Sequence, residues 1–194
     1  MTTRGSPQRV LIVTASPKFP EVLRACLPPA QFQPLLSTAS PGEAKRMLLN
    51  AGFDLLVIDD PLGRESGVQL AMDIASQHAS LGILLLVRSE LFDQASARAE
   101  EKGIVTLPKP TTRQMIYTAA KMLTALRNKL LAAQRETLDL RDRMEEIRIV
   151  NKAKWFLIEN RQMSEPEAHR YIEKAAMDRC VRRKEIAEEI LRGE

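Results

Sequence analysis

Asp54-Leu55-Leu56-Val57-Ile58-Asp59-Asp60 is the stretch on which the fold reading turns. Four apolar residues run without alternation between acidic ends, and two of them are β-branched. That pattern fits a short strand covered on both faces, as in a parallel sheet, better than a half-exposed strand. Similar runs occur on either side of it. Arg9-Val10-Leu11-Ile12-Val13 lies upstream, Gly82-Ile83-Leu84-Leu85-Leu86-Val87 lies downstream, and Ile104 to Pro110 is the last, stopped by its two prolines. Phe32 to Ser37 is a further strand candidate.

Helix-like segments alternate with these strands. Phe19 to Leu27 has helical spacing of its apolar residues. Ser40-Pro41-Gly42-Glu43 opens a helix through Leu49, with serine at the cap, proline in the first turn and glutamate three residues after the cap. Strands and helices alternating at this pitch predict a doubly wound, five-stranded parallel sheet in the first part of the chain.

The pattern changes at Thr111, after which no glycine or proline occurs until Pro166. Ile116, Ala119, Leu123, Leu126, Leu130, Ala133, Thr137, Leu140, Met144 and Ile147 follow one another in alternating steps of three and four, between Arg, Glu, Asp, Gln and Lys. This is an a/d heptad, and it predicts a coiled-coil helix over 116–147 that pairs with a second copy of the chain. A long amphipathic helix lying on its own domain would give the same spacing. The narrow stripe, and the absence of a second long helix to cover it, favour the homodimer.

Two short helices follow. Ser164-Glu165-Pro166-Glu167 is a capping box with proline in the first turn, and Ala168, Tyr171, Ile172, Ala175 and Ala176 form one apolar face. The chain turns at Asp178 to Cys180. Lys184 to Leu191 then presents Ile186, Ala187, Ile190 and Leu191. Both faces can bury against Ala153, Phe156, Leu157 and Ile158 at the end of the long helix.

Composition narrows the function. Of 194 residues, 44% are hydrophobic and 28% charged, an ordinary balance for a globular protein. Aromatics reach only 4%, which argues against nucleic-acid binding through aromatic stacking sheets. Net charge is +4, and residues 125 to 194 hold 16 basic against 14 acidic side chains, so any basic surface must come from local clustering. Cys26 and Cys180 match no metal spacing and read as reduced thiols, and His78 and His169 stand alone as surface or packing residues. No metal site, cofactor motif, Gly-rich phosphate loop or catalytic triad is present, so no enzyme is expected. The N-terminal MTTRGSPQR carries no apolar signal core, and no apolar run approaches the ~20 residues of a membrane span. The expected location is cytoplasmic.

Residues 8–124 resemble a two-component receiver domain. Asp59 ends the strand that begins at Asp54, Gly67 follows eight residues on, and Lys109-Pro110 closes the last strand. The resemblance implies that Asp59 is the phosphoacceptor-equivalent position, that Lys109 pairs with the phosphate, and that the Lys109–Pro110 peptide bond is cis. Other positions depart from the pattern. Thr14 and Ala15 stand where an acidic pair would hold Mg²⁺, Val87 where a hydroxyl is expected, and Thr106 at the aromatic switch position. Phosphoryl transfer to a carboxylate needs a divalent ion to neutralise the oxygens. A pseudo-receiver is therefore expected, in which Asp59 and Lys109 are kept as a structural ion pair; residual phosphorylation of Asp59 is the other reading.

Residues 140–193 resemble the ANTAR domain, the family named for the AmiR and NasR antitermination regulators. The match is carried by Ala153-Lys154, Leu157, Glu165, Ala168, Ala176-Met177, Ile186-Ala187 and Ile190-Leu191, with Trp155 standing where the family often has glycine. The resemblance implies binding of paired hairpins in nascent messenger RNA, which prevents a terminator stem from forming. Arg148, Lys152, Lys154, Arg170, Arg179, Arg182, Arg183 and Lys184 are the candidate phosphate contacts. Interleaved glutamates would equally suit a solvated charged surface. The resemblance also implies sequestration by a ligand-sensing protein, with ligand releasing the dimer; a kinase regulatory protein is the other candidate partner. Two rival functions remain: a DNA-binding response regulator using the last two helices, and a protein-interaction scaffold.

Overall fold

The computed structural model describes residues 6–193; residues 1–5 of the N-terminal stretch, and Glu194, lie outside it. The chain folds as two units, divided between residues 131 and 132.

In the first unit five strands alternate with helices: β1 (Gln8–Thr14), α1 (Phe19–Cys26), β2 (Phe32–Thr38), α2 (Pro41–Asn50), β3 (Leu55–Asp59), α3 (Gly67–Gln77), β4 (Gly82–Arg88), α4 (Phe92–Glu100) and β5 (Val105–Lys109). The strands form one parallel sheet in the order β2-β1-β3-β4-β5. All five residues of β3 are buried, as the unalternating run demands. The two faces of the sheet carry separate cores. Leu11, Val13, Leu56, Ile58 and Leu85 meet α2, α3 and α4, whereas Val10, Ile12, Leu55, Val57 and Leu84 meet α1 and the start of the long helix. The predicted cap at Ser40 is present, its Oγ accepting from the Glu43 N–H.

The long helix, α5 (Arg113–Arg161), runs 49 residues without interruption. Its a/d row divides in two. Ile116, Ala119 and Leu123, read from the sequence as coiled-coil seam, are buried in the core of the first unit together with Ala120. A heptad step of three and four residues suits a helix packed on a sheet as well as one packed on another helix. At Leu126 the row emerges, and Leu126, Leu130, Leu140, Met144 and Ile147 are each at least half exposed.

In the second unit the end of α5 meets α6 (Glu165–Arg179) and α7 (Arg183–Arg192). Val150, Ala153 and Leu157 from α5, Ala168, Ile172 and Ala176 from α6, and Ile186, Ala187 and Ile190 from α7 form one buried cluster. Four of the nine are alanines, which lets the helices approach closely but leaves little apolar area per residue. Tyr171, expected on the buried face of α6, is 40% exposed instead. Its hydroxyl accepts a hydrogen bond from the Arg161 guanidinium at 3.2 Å, and that guanidinium lies over the ring. Tyrosine keeps its polar end wet at the margin of such a core. Leu191, also placed on a buried face from the sequence, is 38% exposed near the end of α7. Cys180 closes α6 at φ 53°, in the left-handed region usual for such a terminus.

The start of α6 depends on a carboxylate. The Glu167 carboxylate accepts from the Ser164 hydroxyl at 2.6 Å and from its backbone N–H at 2.9 Å. These hydrogen bonds, the hydroxyl first, hold the Glu167 carboxyl below the usual carboxylate range. Arg179 acts likewise on Glu189. A lowered folded-state pKa contributes stability that is complete above the unfolded value and is lost as pH falls through the folded one. The second unit should hold constant stability down to about pH 4.3, the ordinary glutamate value, and lose it below. Amide exchange of α6 against pH measures this, and Glu167→Gln should flatten the profile.

Candidate functional site

Asp59 ends β3 beside Thr14 at the end of β1, where the strand order reverses. Carboxyl ends of strands at such a reversal are where open α/β sheets place their sites. Lys109, at the end of β5, reaches this point from across the sheet. Its Nζ lies 2.5 Å from Asp59 Oδ1 and also donates to the Asp60 carbonyl. The other Asp59 oxygen, Oδ2, accepts from the Thr14 hydroxyl at 2.7 Å. The Lys109–Pro110 bond is cis.

The neighbouring carboxylate is also committed. Asp60 Oδ1 accepts from the Gly67 N–H at 2.6 Å, at the start of α3. A Cβ at Gly67 would come within 2.9 Å of the Asp60 side chain and of Ile58, so only glycine allows this approach. Val87 is fully buried and brings no hydroxyl. Mg²⁺ seeks several hard oxygens in octahedral array. Here Asp59 is held between an ammonium and a hydroxyl, Asp60 is bound to backbone, and Thr14 and Ala15 bring no charge. Among the described residues no group of three or more His, Cys, Asp or Glu side chains stands close enough to hold a metal. The donor set does not fit Mg²⁺. What the arrangement can do is pin the ends of β1, β3 and β5 together through one carboxylate.

The eight candidate cations are placed in the second unit and fall into two groups. Arg148 lies 3.4 Å from Glu145. Lys154 lies 3.1 Å from Glu165, with 17% of its side chain exposed. Arg179 grips Glu189 with two nitrogens. Arg183 lies 3.5 Å from both Glu146 and Glu173. The side chains of Lys152, Arg170, Arg182 and Lys184 make no ion pair within 4.0 Å among the described residues, although the Arg170 charge helps hold the Glu167 carboxyl down. Arg182 is the N-cap of α7, where its backbone N–H donates to Glu185. Free cations keep their full charge for a phosphate, whereas paired ones must first give up a carboxylate.

Two features were only half legible in the sequence. Thr14 was legible only as a missing acid, because its hydrogen bond to Asp59 joins residues 45 apart in the chain. Trp155, the single tryptophan, is 64% exposed on α5 and adds nothing to the buried cluster. Its departure from glycine therefore changes the surface of the module.

An ANTAR domain family model matches residues 138–191. The chain is similar to the transcriptional regulatory protein PdtaR of Mycobacterium tuberculosis, with 30% identity over 139 residues that cover 71% of this chain and 67% of that protein. Among solved structures, the signal receiver domain of an HD domain-containing protein from Pseudomonas fluorescens is similar with a TM-score of 0.58 and 22% identity, covering 70% of this chain and 97% of that one. A response regulator from Chloroflexus aurantiacus gives a TM-score of 0.55 and 25% identity, covering 61% and 98%.

Proposed function

From the premise that the chain belongs to the family of ANTAR regulators that carry a receiver domain, we propose that it is an RNA-binding transcription antiterminator. It binds hairpins in a nascent messenger RNA leader and prevents a terminator from forming. The observation that carries this reading is the three-helix unit at the end of α5. It lies within the ANTAR match, and among its described residues the side chains of Lys152, Arg182 and Lys184 make no ion pair with a carboxylate. Cations on helices suit RNA loops and their phosphates better than the deep groove of an RNA duplex. The reading needs no catalysis. Among the described residues no helix is long and apolar enough to cross a membrane, and an RNA-directed role places the protein in the cytoplasm.

The test is competition between a hairpin RNA and a duplex DNA of equal length across a salt series. Hairpin binding should prevail, with affinity falling steeply as salt rises. Lys152→Ala and Arg182→Ala should each weaken binding without altering the preferred loop sequence, and lower the salt slope by about 0.7 to 1. Binding confined to the duplex would establish a DNA-binding regulator instead.

Control passes through protein contacts on the receiver unit, made by a ligand-sensing regulatory protein, and not through an aspartyl phosphate. Both Asp59 oxygens already have donors, and the Mg²⁺ ligands are missing. Incubation with acetyl phosphate and Mg²⁺ should leave the mass of the chain unchanged. Asp59→Asn should retain hairpin affinity within twofold, since an amide can still bond to Thr14. A hydroxylamine-sensitive adduct at Asp59 is the contrary result.

A further inference from the structure

The single tryptophan stands on α5 between two residues that enter the core of the second unit. Ala153 lies two positions before Trp155 and Leu157 two positions after, and both are fully buried. Two positions are roughly 200° around an α-helix, so the indole points away from that core. The other rings of the unit are engaged: Phe156 packs against the buried cluster, and the Arg161 guanidinium covers Tyr171. Among the described residues no cation lies over the Trp155 ring.

Charge is distributed unevenly around this ring. Arg148, Lys152 and Trp155 stand at i, i+4 and i+7, on one face of the helix, and all three are exposed. Lys152 makes no ion pair within 4.0 Å among the described residues. Arg148 meets Glu145 at 3.4 Å, with both side chains wet, and such a pair gives way at little cost. The carboxylate on the same face is Glu159, one turn beyond the ring, and it repels a phosphate from that end. The cations therefore lie on the N-terminal side of the ring alone. A flat apolar face with cations along one side matches a single nucleotide, base on the ring and phosphate on the charge. A base inside a duplex already has neighbours on both faces, so only an unpaired base can take the place.

We propose, resting on the RNA-binding reading of this unit, that Trp155 stacks on one unpaired base of the hairpin loop while Lys152 and Arg148 hold the phosphates beside it. Stacking accepts any base, so Trp155 favours loop over stem without reading the loop's sequence. Glycine at this position would leave the same cations and no platform. The ring lies more than two turns beyond Ile147, where the exposed a/d row on α5 ends, so the platform and that row use different residues.

The experiment takes the full chain and a hairpin RNA selected for binding from a pool with randomised loops. Affinity across a salt series is read together with the fluorescence of the chain's only tryptophan. Binding should quench that fluorescence. Trp155→Ala should weaken the hairpin about tenfold with the salt slope unchanged, because a stack releases no counterion. Trp155→Phe should recover most of the loss. Lys152→Ala should lower affinity and slope together and keep the quenching at saturation. Replacing loop bases one at a time by abasic sites should find one position that weakens the parent about tenfold yet leaves Trp155→Ala unchanged, the mark of a direct pair. Alanine suits an exposed helical position, and protected amides in α6 check that the unit stays folded. The proposal is overturned if Trp155→Ala binds within twofold of the parent, or if no abasic position is coupled to it. Fluorescence that shifts on dilution of the RNA-free chain would put the ring between two copies and overturns it equally. If no hairpin can be selected, the RNA-binding reading fails first, and this role of Trp155 with it.

Discussion

Leu157→Ala should unfold the C-terminal unit while the receiver unit stays folded. Leu157 is fully buried at the centre of a nine-residue cluster in which alanine already accounts for four positions. Truncating a buried leucine removes its transfer free energy and leaves a cavity, at a cost of about 2–5 kcal/mol. A unit of some 60 residues has a total stability on the order of 3–9 kcal/mol. One substitution therefore removes a large share of what holds α6 and α7 to α5. The sheet of the first unit has its own two cores and shares no buried residue with this cluster. Hydrogen exchange separates the two responses: the amides of α6 and α7 should exchange freely while those of β1, β3 and β4 stay protected. Met177→Ala, at a side chain 77% exposed, is the control and should leave exchange unchanged. A fully protected α6 in Leu157→Ala would mean that the unit is stabilised by contacts other than this cluster. If hairpin binding resides in this unit, it should be lost in parallel.

The elements were legible in the sequence to the extent that their signals are local. β3 reads as a buried strand because four unalternating apolar residues leave no wet face. α2 and α6 read as helices because Ser40 with Glu43, and Ser164 with Glu167, are partners within one turn. The long helix was legible because neither glycine nor proline interrupts it. What the chain does with those elements depends on pairs far apart in sequence. Periodicity says that Ile116, Ala119 and Leu123 face something apolar, but their partners are Val10, Ile12 and Leu84, which no spacing rule on α5 identifies. The cations show the same limit. Lys154 is paired by a residue 11 positions away, Arg179 by one 10 away, and Arg183 by Glu146 on another helix. A count of charges treats all eight alike, whereas the geometry sets four of them in ion pairs with carboxylates. At Asp59 the sequence revealed which partners were missing. The pairing of Asp59 with Lys109 was among the sequence expectations; only the structure revealed that a threonine hydroxyl takes the other carboxylate oxygen.

If two copies pair through the exposed row of α5 and bind hairpin RNA as proposed, Leu140→Asp combined with Met144→Asp should convert that dimer to monomer and weaken binding to a two-hairpin RNA by about 10² to 10⁴-fold. From Leu126 to Ile147 the exposed a/d row covers about 30 Å of helix at 1.5 Å per residue. Apolar side chains in such a row are buried when two copies pair, each entering a hole on the other helix. Aspartate at adjacent d and a positions would place four carboxylates across one seam, desolvated and mutually repelling. Leu140 and Met144 are 52% and 71% exposed in the single chain, so the substitutions should leave each unit folded, which circular dichroism checks. Sedimentation at graded concentration should then show a dimer dissociation constant raised at least 100-fold. The consequence for RNA follows from valence. In a dimer the second hairpin binds in effect within one molecule, at the high local concentration set by the first; a monomer has only its single-site affinity. Affinity for one isolated hairpin should therefore stay within twofold of the parent while the gain from the second disappears. If the variant still sediments as a dimer, pairing lies outside this row. If it is monomeric yet binds two hairpins as tightly as the parent, the avidity argument for the seam fails.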